Sequence, residues 1–433
     1  MHRPFKRTLH AVIAGSVLIG GSFTAVMIAE AGPSSAASVV QTIGVGSEPD
    51  GISSDGTHVW VANFGGGITE LNASTGSVVQ TVPGGSGATG PTAISSDGLH
   101  VWIPFSDFSS PAPDVLSELN ASTGAFSGSA TVGAYAEGVS SDGTHAWVAN
   151  GLSNTVTEVN ASTGLVVQTI AVGGDPAGIS SDGTHVWVAN SADSVFGPPG
   201  NTVTELNAST GAVVQTIGVG PNPYGVSSDG THVWVANSGN STLTELNASN
   251  GAVVQTIGVG PNPYGVSSDG THVWVANRGD GTVSELNAST GAVIQTIAVG
   301  NAPQGISSDG THVWVANNGD HSVTELGPDF AISTSSLPPA TRGAAYGPAT
   351  LEAINIEFST IPYTTTLKWR KISLPSGLKL SSTGVLSGIP SIKLAAGLSS
   401  VTIQVTEKVT TLKGNKKVKT TTTVQATIPL TIT

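Results

Sequence analysis

The sequence predicts an all-β protein: a seven-bladed β-propeller closed by an N-terminal strand, with a small β-sandwich after it. Three observations predict it. The string Ser-Ser-Asp-Gly-x-His-x-Trp recurs seven times at a period of 40–47 residues, the spacing of propellers and repeat arrays. Each unit holds four short runs of period-2 alternation, enough for the four strands of one blade. The seventh unit stops before its fourth run, while a matching run stands unassigned ahead of the first unit.

In chain order, residues 1–31 read as a signal peptide. Arg3, Lys6 and Arg7 precede an apolar run from Ala11 to Ala29, and Ala29-Glu30-Ala31 gives a small-x-small cleavage pattern. The alternative is a retained anchor, since the run is about long enough to span a bilayer. Gly15, Ser16, Gly20, Gly21, Ser22 and Thr24 make it weakly apolar, which favours cleavage. A secreted or cell-surface protein follows, with no transmembrane segment after cleavage. The chain has no cysteine, which excludes disulfides, thiolate nucleophiles and Cys-ligated metals.

Residues 38–328 are the propeller. In blade 5, Tyr224 to Ser228 reads as the first strand and Asp229-Gly230-Thr231 as a tight turn, because Asp-Gly supplies positive φ. His232 to Asn237, Ser241 to Leu246 and Ala252 to Val259 are the next three strands. Asn247 to Gly251 is the turn between the last two. Unit seven ends at Leu326-Gly327-Pro328, and Ser38 to Val45 (Ser-Val-Val-Gln-Thr-Ile-Gly-Val) is a fourth strand without a unit. It should complete the last blade, pairing the two ends of the chain and removing exposed edges. Pro223 to Asn237 resembles the YVTN family of bacterial propeller repeats, with Trp234 where that family usually has Tyr. The resemblance covers about residues 38–328 and implies a propeller in an exported setting. It implies no single activity.

Residues 331–433 alternate as further strands: Leu351 to Ile356, Thr364 to Trp369, Val401 to Thr406 and Val424 to Ile432. About 100 residues of this kind suggest a β-sandwich. Leu374-Pro375-Ser376-Gly377-Leu378 and Gly384-Val385-Leu386-Ser387-Gly388-Ile389-Pro390 resemble the Ig-like domains of bacterial surface proteins, which implies an Ig-like β-sandwich used as a spacer or adhesion module. Lys408, Lys413, Lys416, Lys417 and Lys419 surround a Gly414-Asn415 turn. They read as a solvated hairpin, or as a contact for an anionic surface polymer.

The charge is divided. Residues 38–329 hold 24 acidic side chains and one basic one, Arg278; residues 330–433 hold 11 basic and 3 acidic. An acidic propeller excludes nucleic acid as its partner. The turn aspartates, the third-strand glutamates and the histidines that recur once per blade read as structural, and ligands so dispersed cannot share one metal ion. The remaining acids are the candidates. Up-and-down topology puts the second-to-third loops and the blade-to-blade loops on one face. Glu48, Asp50, Asp107, Glu137, Asp175, Asp280 and Asp320 lie in or beside those loops, with the aromatics Phe64, Phe105, Tyr135, Phe196, Tyr224 and Tyr264. Aromatic platforms beside carboxylates suit sugars and cations. His321, the one mature histidine outside the repeat, joins them.

A non-enzymatic binding or scaffold protein is therefore expected, acting as a monomer. Its partner would be an extracellular glycan, cell-wall polymer or protein. It needs no cofactor; a divalent cation is the one candidate. The alternative is a metal-dependent propeller lyase or hydrolase on the same face, for which His321 would have to find a glutamate and a metal. No nucleophile elbow or phosphate loop is present.

Overall fold

The computed structural model describes residues 37–84, 90–107, 110–191 and 200–328. Beyond these it describes 330–332, 341, 344–350, 353–355, 364–382, 385–389, 391, 397–413 and 416–432. The expected signal peptide, Phe196 and the Gly414-Asn415 turn lie outside the described residues. Among the described residues every regular element is a strand except a 3-10 turn at Asn318–Asp320. They form a seven-bladed β-propeller and three further small sheets.

Blade 5 comprises Pro223–Ser228, His232–Asn237, Thr242–Asn247 and Val253–Gly258, consecutive and antiparallel. Blades 1, 3, 4 and 6 are built alike. Blade 2 departs from the expected single inner strand: it is split into Gly90–Pro91 and Ser95–Ser96, both paired with His100–Ser106. Blade 7 takes its fourth strand from the other end of the chain. Ala37–Gly44 pairs antiparallel with Ser322–Pro328, from Ala37 opposite Pro328 to Gly44 opposite Ser322.

The core follows from alternation in His-Val-Trp-Val-Ala-Asn. Trp and Ala fall on one face of the sheet and the two valines on the other. Both faces are covered because each blade lies between two others. Between blades 7 and 1, Trp314, Ala316 and Val323 pack on Ile52, Val59, Val61 and Leu71. Trp60 and Ala62 meet Val101, Ile103 and Leu119 of blade 2 in the same way. Truncating such a tryptophan to alanine costs about 3–5 kcal/mol, so these contacts dominate stability.

The polar signature fixes how the blades meet. In the turn, Asp55 Oδ1 accepts from the backbone N–H of Thr57 and His58 (2.9 and 2.7 Å), and Gly56 takes φ +82°. The other oxygen reaches the next blade: Ser96 Oγ donates to Asp55 Oδ2 at 3.0 Å. The first serine works too, because the N–H of Ser96 donates to Ser53 Oγ at 3.0 Å. The same pair of bonds joins blades 2 to 3, 3 to 4, 4 to 5, 5 to 6 and 6 to 7. Ser54 closes the circuit onto Ser307 and Asp309. Burial alone would raise these aspartates, but the donated N–H and O–H groups hold Asp97, Asp142, Asp182, Asp229 and Asp309 below the usual carboxylate range. On the outer side, the third-strand glutamate accepts from the fourth-strand glutamine, as Glu70 does from Gln80 at 2.5 Å. The repeat-borne acids are thus framework.

Beyond residue 328, Phe330–Ile332 pairs with Ala353–Asn355, and Tyr346–Thr350, Val385–Gly388 and Leu378–Leu380 form a three-stranded sheet. Thr364–Ser373 pairs with Gly397–Lys413, which pairs in turn with Lys416–Ile432. The last two strands are 17 residues each, longer than the alternating cores expected within them, because their Thr-rich and Lys-bearing flanks continue the same pairing.

Candidate functional site at the propeller axis

Each inner strand opens on Pro-x-Gly or a close variant, from Pro49-Asp50-Gly51 in blade 1 to Pro303-Gln304-Gly305 in blade 7. The glycine is a matter of room. A β-carbon on Gly178 would collide with the carbonyl of Tyr224, one on Gly225 with that of Tyr264, and one on Gly305 with that of Asp50. The innermost strands therefore stand backbone against backbone around the axis. The middle residues make one tier there: Asp50, Thr92, Glu137, Ala177, Tyr224, Tyr264 and Gln304.

Those side chains bond across blades. Tyr224 Oη of blade 5 donates to Glu137 Oε1 of blade 3. The bond passes over blade 4, which contributes only the small Ala177. Tyr224 and Tyr264 stack, with centroids 3.6 Å apart and planes at 29°. The Arg278 guanidinium lies over the Tyr264 ring at 5.5 Å, within cation–π range. On the other side, Gln304 Nε2 and Asn318 Nδ2 both donate to Asp50 Oδ1, at 2.7 and 2.6 Å. Burial pushes the Asp50 carboxyl up to about 6, reinforced by the charge of Glu48 and opposed by Asn318, Arg278 and Gln304. Burial and the Glu137 charge push both tyrosine hydroxyls upward, so they stay protonated donors.

A strained rim surrounds this tier. Outside blade 2, the residue before each inner strand has positive φ: Glu48 (54°), Tyr135 (60°), Asp175 (48°), Asn222 (49°), Asn262 (50°) and Ala302 (48°). Side chains other than Gly and Asn pay about 1 kcal/mol or more there. Each is held by its carbonyl, which accepts from a second-to-third loop, as the Glu48 carbonyl does from Phe64 N–H and the Tyr135 carbonyl from Gly151 N–H (2.9 and 2.8 Å). The two loop families consequently share one face.

Of the residues expected from sequence, Asp50, Glu137, Tyr224 and Tyr264 meet at the axis. The other described candidates lie outward. Glu48, Tyr135 and Asp175 belong to the rim. Phe64 lies against Gly90, and half-buried Phe105 packs on the core between blades 1 and 2. The Asp107 carbonyl turns its own loop by accepting from Ser110 N–H at 2.9 Å. Asp280 accepts from Thr282 Oγ1 (2.7 Å). Asp320 accepts from the N–H and amide of Asn301 (2.6 and 2.8 Å), which hold it below its ordinary range. His321 has φ 52° and its Nδ1 accepts the Glu48 N–H at 3.0 Å, so its placement serves the closure between blades 7 and 1. Among the described residues no three His, Asp or Glu side chains group as metal ligands. Sequence reasoning did not select Arg278, Gln304, Asn318 or Thr92 for the site. The signal was available for two of them: the middle of Pro-x-Gly changes from blade to blade while its neighbours repeat.

No family model and no curated protein matches this chain. Among solved structures it is similar to hydrazine synthase of Kuenenia stuttgartiensis, with 18% identity and a TM-score of 0.55 over 65% of this chain and 96% of that one. That likeness is one of fold alone.

Proposed function

We propose that this chain is an exported, non-enzymatic binding protein of the cell surface or its surroundings. Its propeller, of the YVTN type, holds an extracellular ligand at the axial tier, and its C-terminal region serves as an Ig-like spacer. The ligand class is a glycan carrying hydroxyl and positively charged groups. One observation carries this reading: two carboxylates, Asp50 and Glu137, flank a stacked tyrosine pair whose outer face already receives Arg278, the sole Lys or Arg of the propeller. A guanidinium over an aromatic ring between two acids occupies the place a cationic ligand group would take. Hydroxyls and amides around it supply the hydrogen bonds that orient a sugar.

Titration calorimetry of the purified chain with glucosamine oligomers and their neutral N-acetylated counterparts tests the reading. Wild type is expected to prefer the cationic series, and Asp50→Asn/Glu137→Gln to bind it at least about tenfold more weakly (about 1.4 kcal/mol). Equal binding by the double variant would count against the axial site.

A further inference from the structure

The register of the C-terminal three-stranded sheet sorts its residues onto two unlike faces. Residues paired directly across antiparallel strands share a face, and the face alternates along each strand. Thr366 is opposite Lys408, Lys368 opposite Thr406 and Arg370 opposite Gln404. Lys408 is in turn opposite Thr421, Thr410 opposite Lys419 and Leu412 opposite Lys417. One face therefore collects Lys368, Arg370, Lys408, Lys417 and Lys419 among threonines and glutamines, with Leu412 at its end and without an acid. The other takes the apolar positions Leu367, Trp369, Ile403 and Val405, the one acid of the three strands, Glu407, the exposed Lys371 opposite Ile403, and the pair Lys413–Lys416. The hairpin lysines expected to act together are thus divided, and two residues of a distant strand join three of them.

The five cations are also evenly placed. Measured along the central strand they stand level with residues 412, 410, 408, 406 and 404, in the order Lys417, Lys419, Lys408, Lys368, Arg370. Two residues of strand advance about 7 Å and neighbouring strands lie about 5 Å apart. The α-carbons of these residues form one diagonal row across three strands, roughly 7–8 Å from each to the next. Arg370 is exposed.

We propose that this row binds a linear anionic polyhydroxy polymer, a uronate glycan or a polyol phosphate, carrying one carboxylate or phosphate per repeat unit. Even spacing matches a ligand whose charges also recur evenly, and the interleaved hydroxyls and amides suit its polar backbone. The face has no aromatic residue for base stacking, which single-stranded nucleic acid requires. This site is independent of the propeller axis.

The test uses the purified full chain with two probes, polygalacturonate and poly(glycerol phosphate), and a single-stranded oligonucleotide as the competing class. Binding of either polymer is expected to weaken as ionic strength rises. Replacing all five row residues by Gln should reduce it at least tenfold, while Lys413→Gln/Lys416→Gln should change it less than twofold. The two polymers separate carboxylate from phosphate as the charge recognised. Acetylation footprinting of the wild-type chain needs no variant: polymer should protect Lys368, Lys408, Lys417 and Lys419 but not Lys413. Equal loss in both variants, uniform protection, or tighter binding of the oligonucleotide than of both polymers would overturn the proposal.

Discussion

Asp50 is the residue on which the axial tier turns. Its folded value near 6 lies above the ordinary 3.8, so the folded state holds a proton that the unfolded chain releases between about pH 4 and 6. Stability must fall as pH rises through that window. Asp50→Asn keeps an acceptor for Gln304 and Asn318 and removes the titration. It is expected to flatten the stability slope between pH 4 and 6 and to gain about 1–2 kcal/mol at pH 7, less than the full shift because the group is partly solvated. Urea unfolding at pH 4.5 and 7 measures this. In binding the sign reverses: affinity for a cationic ligand should rise through pH 6 as the carboxylate ionises. Identical pH profiles for variant and wild type would refute both statements. The residue was legible as a candidate because it departs from the repeat. Its partners were not, since Gln304 and Asn318 lie more than 250 positions away and nothing local links them.

At the level of the blade, the serine–aspartate latch explains why Ser-Ser-Asp-Gly recurs intact. One aspartate both shapes its own turn and receives the next blade, so neither serine nor aspartate is free to vary. Ser54→Ala removes the hydroxyl bond of the closing latch, keeps the backbone N–H bond to Ser307, and leaves Asp309 short of a donor, at a cost of about 1–3 kcal/mol. Because Asp309 is depressed in the folded state, its contribution is present above the unfolded value near 3.8 and lost as pH falls below it. The variant should therefore lose stability at neutral pH and less of it on acidification. Circular dichroism from pH 7 to 2 follows this; an unchanged acid transition would show that the latch is not energetically coupled. Blade 2 is the natural exception at the outer side, where Gly128 stands in place of the glutamine that bonds Glu70 in blade 1.

For the whole molecule, closure depends on one eight-residue strand. Removing Ala37–Gly44 uncovers the edge of Ser322–Pro328 and strips Ile43 from the blade 7–1 core. Its loss should lower the melting temperature by several degrees and produce concentration-dependent association through the bared edge. Light scattering with size-exclusion chromatography and a thermal melt would detect both; a monomer with the wild-type melt would contradict this. Sequence alone was enough for the blade count, the strand order within a blade and the displaced closing strand, because period-2 alternation and Asp-Gly turns act over a few residues and repeat seven times. Tertiary structure decided which irregular residues meet. Asp50, Glu137, Tyr224 and Tyr264 share a tier only because glycines let the inner strands close tightly around an axis. The C-terminal cations share a face only through strand register. Both depend on pairings between distant segments, which local patterns leave open.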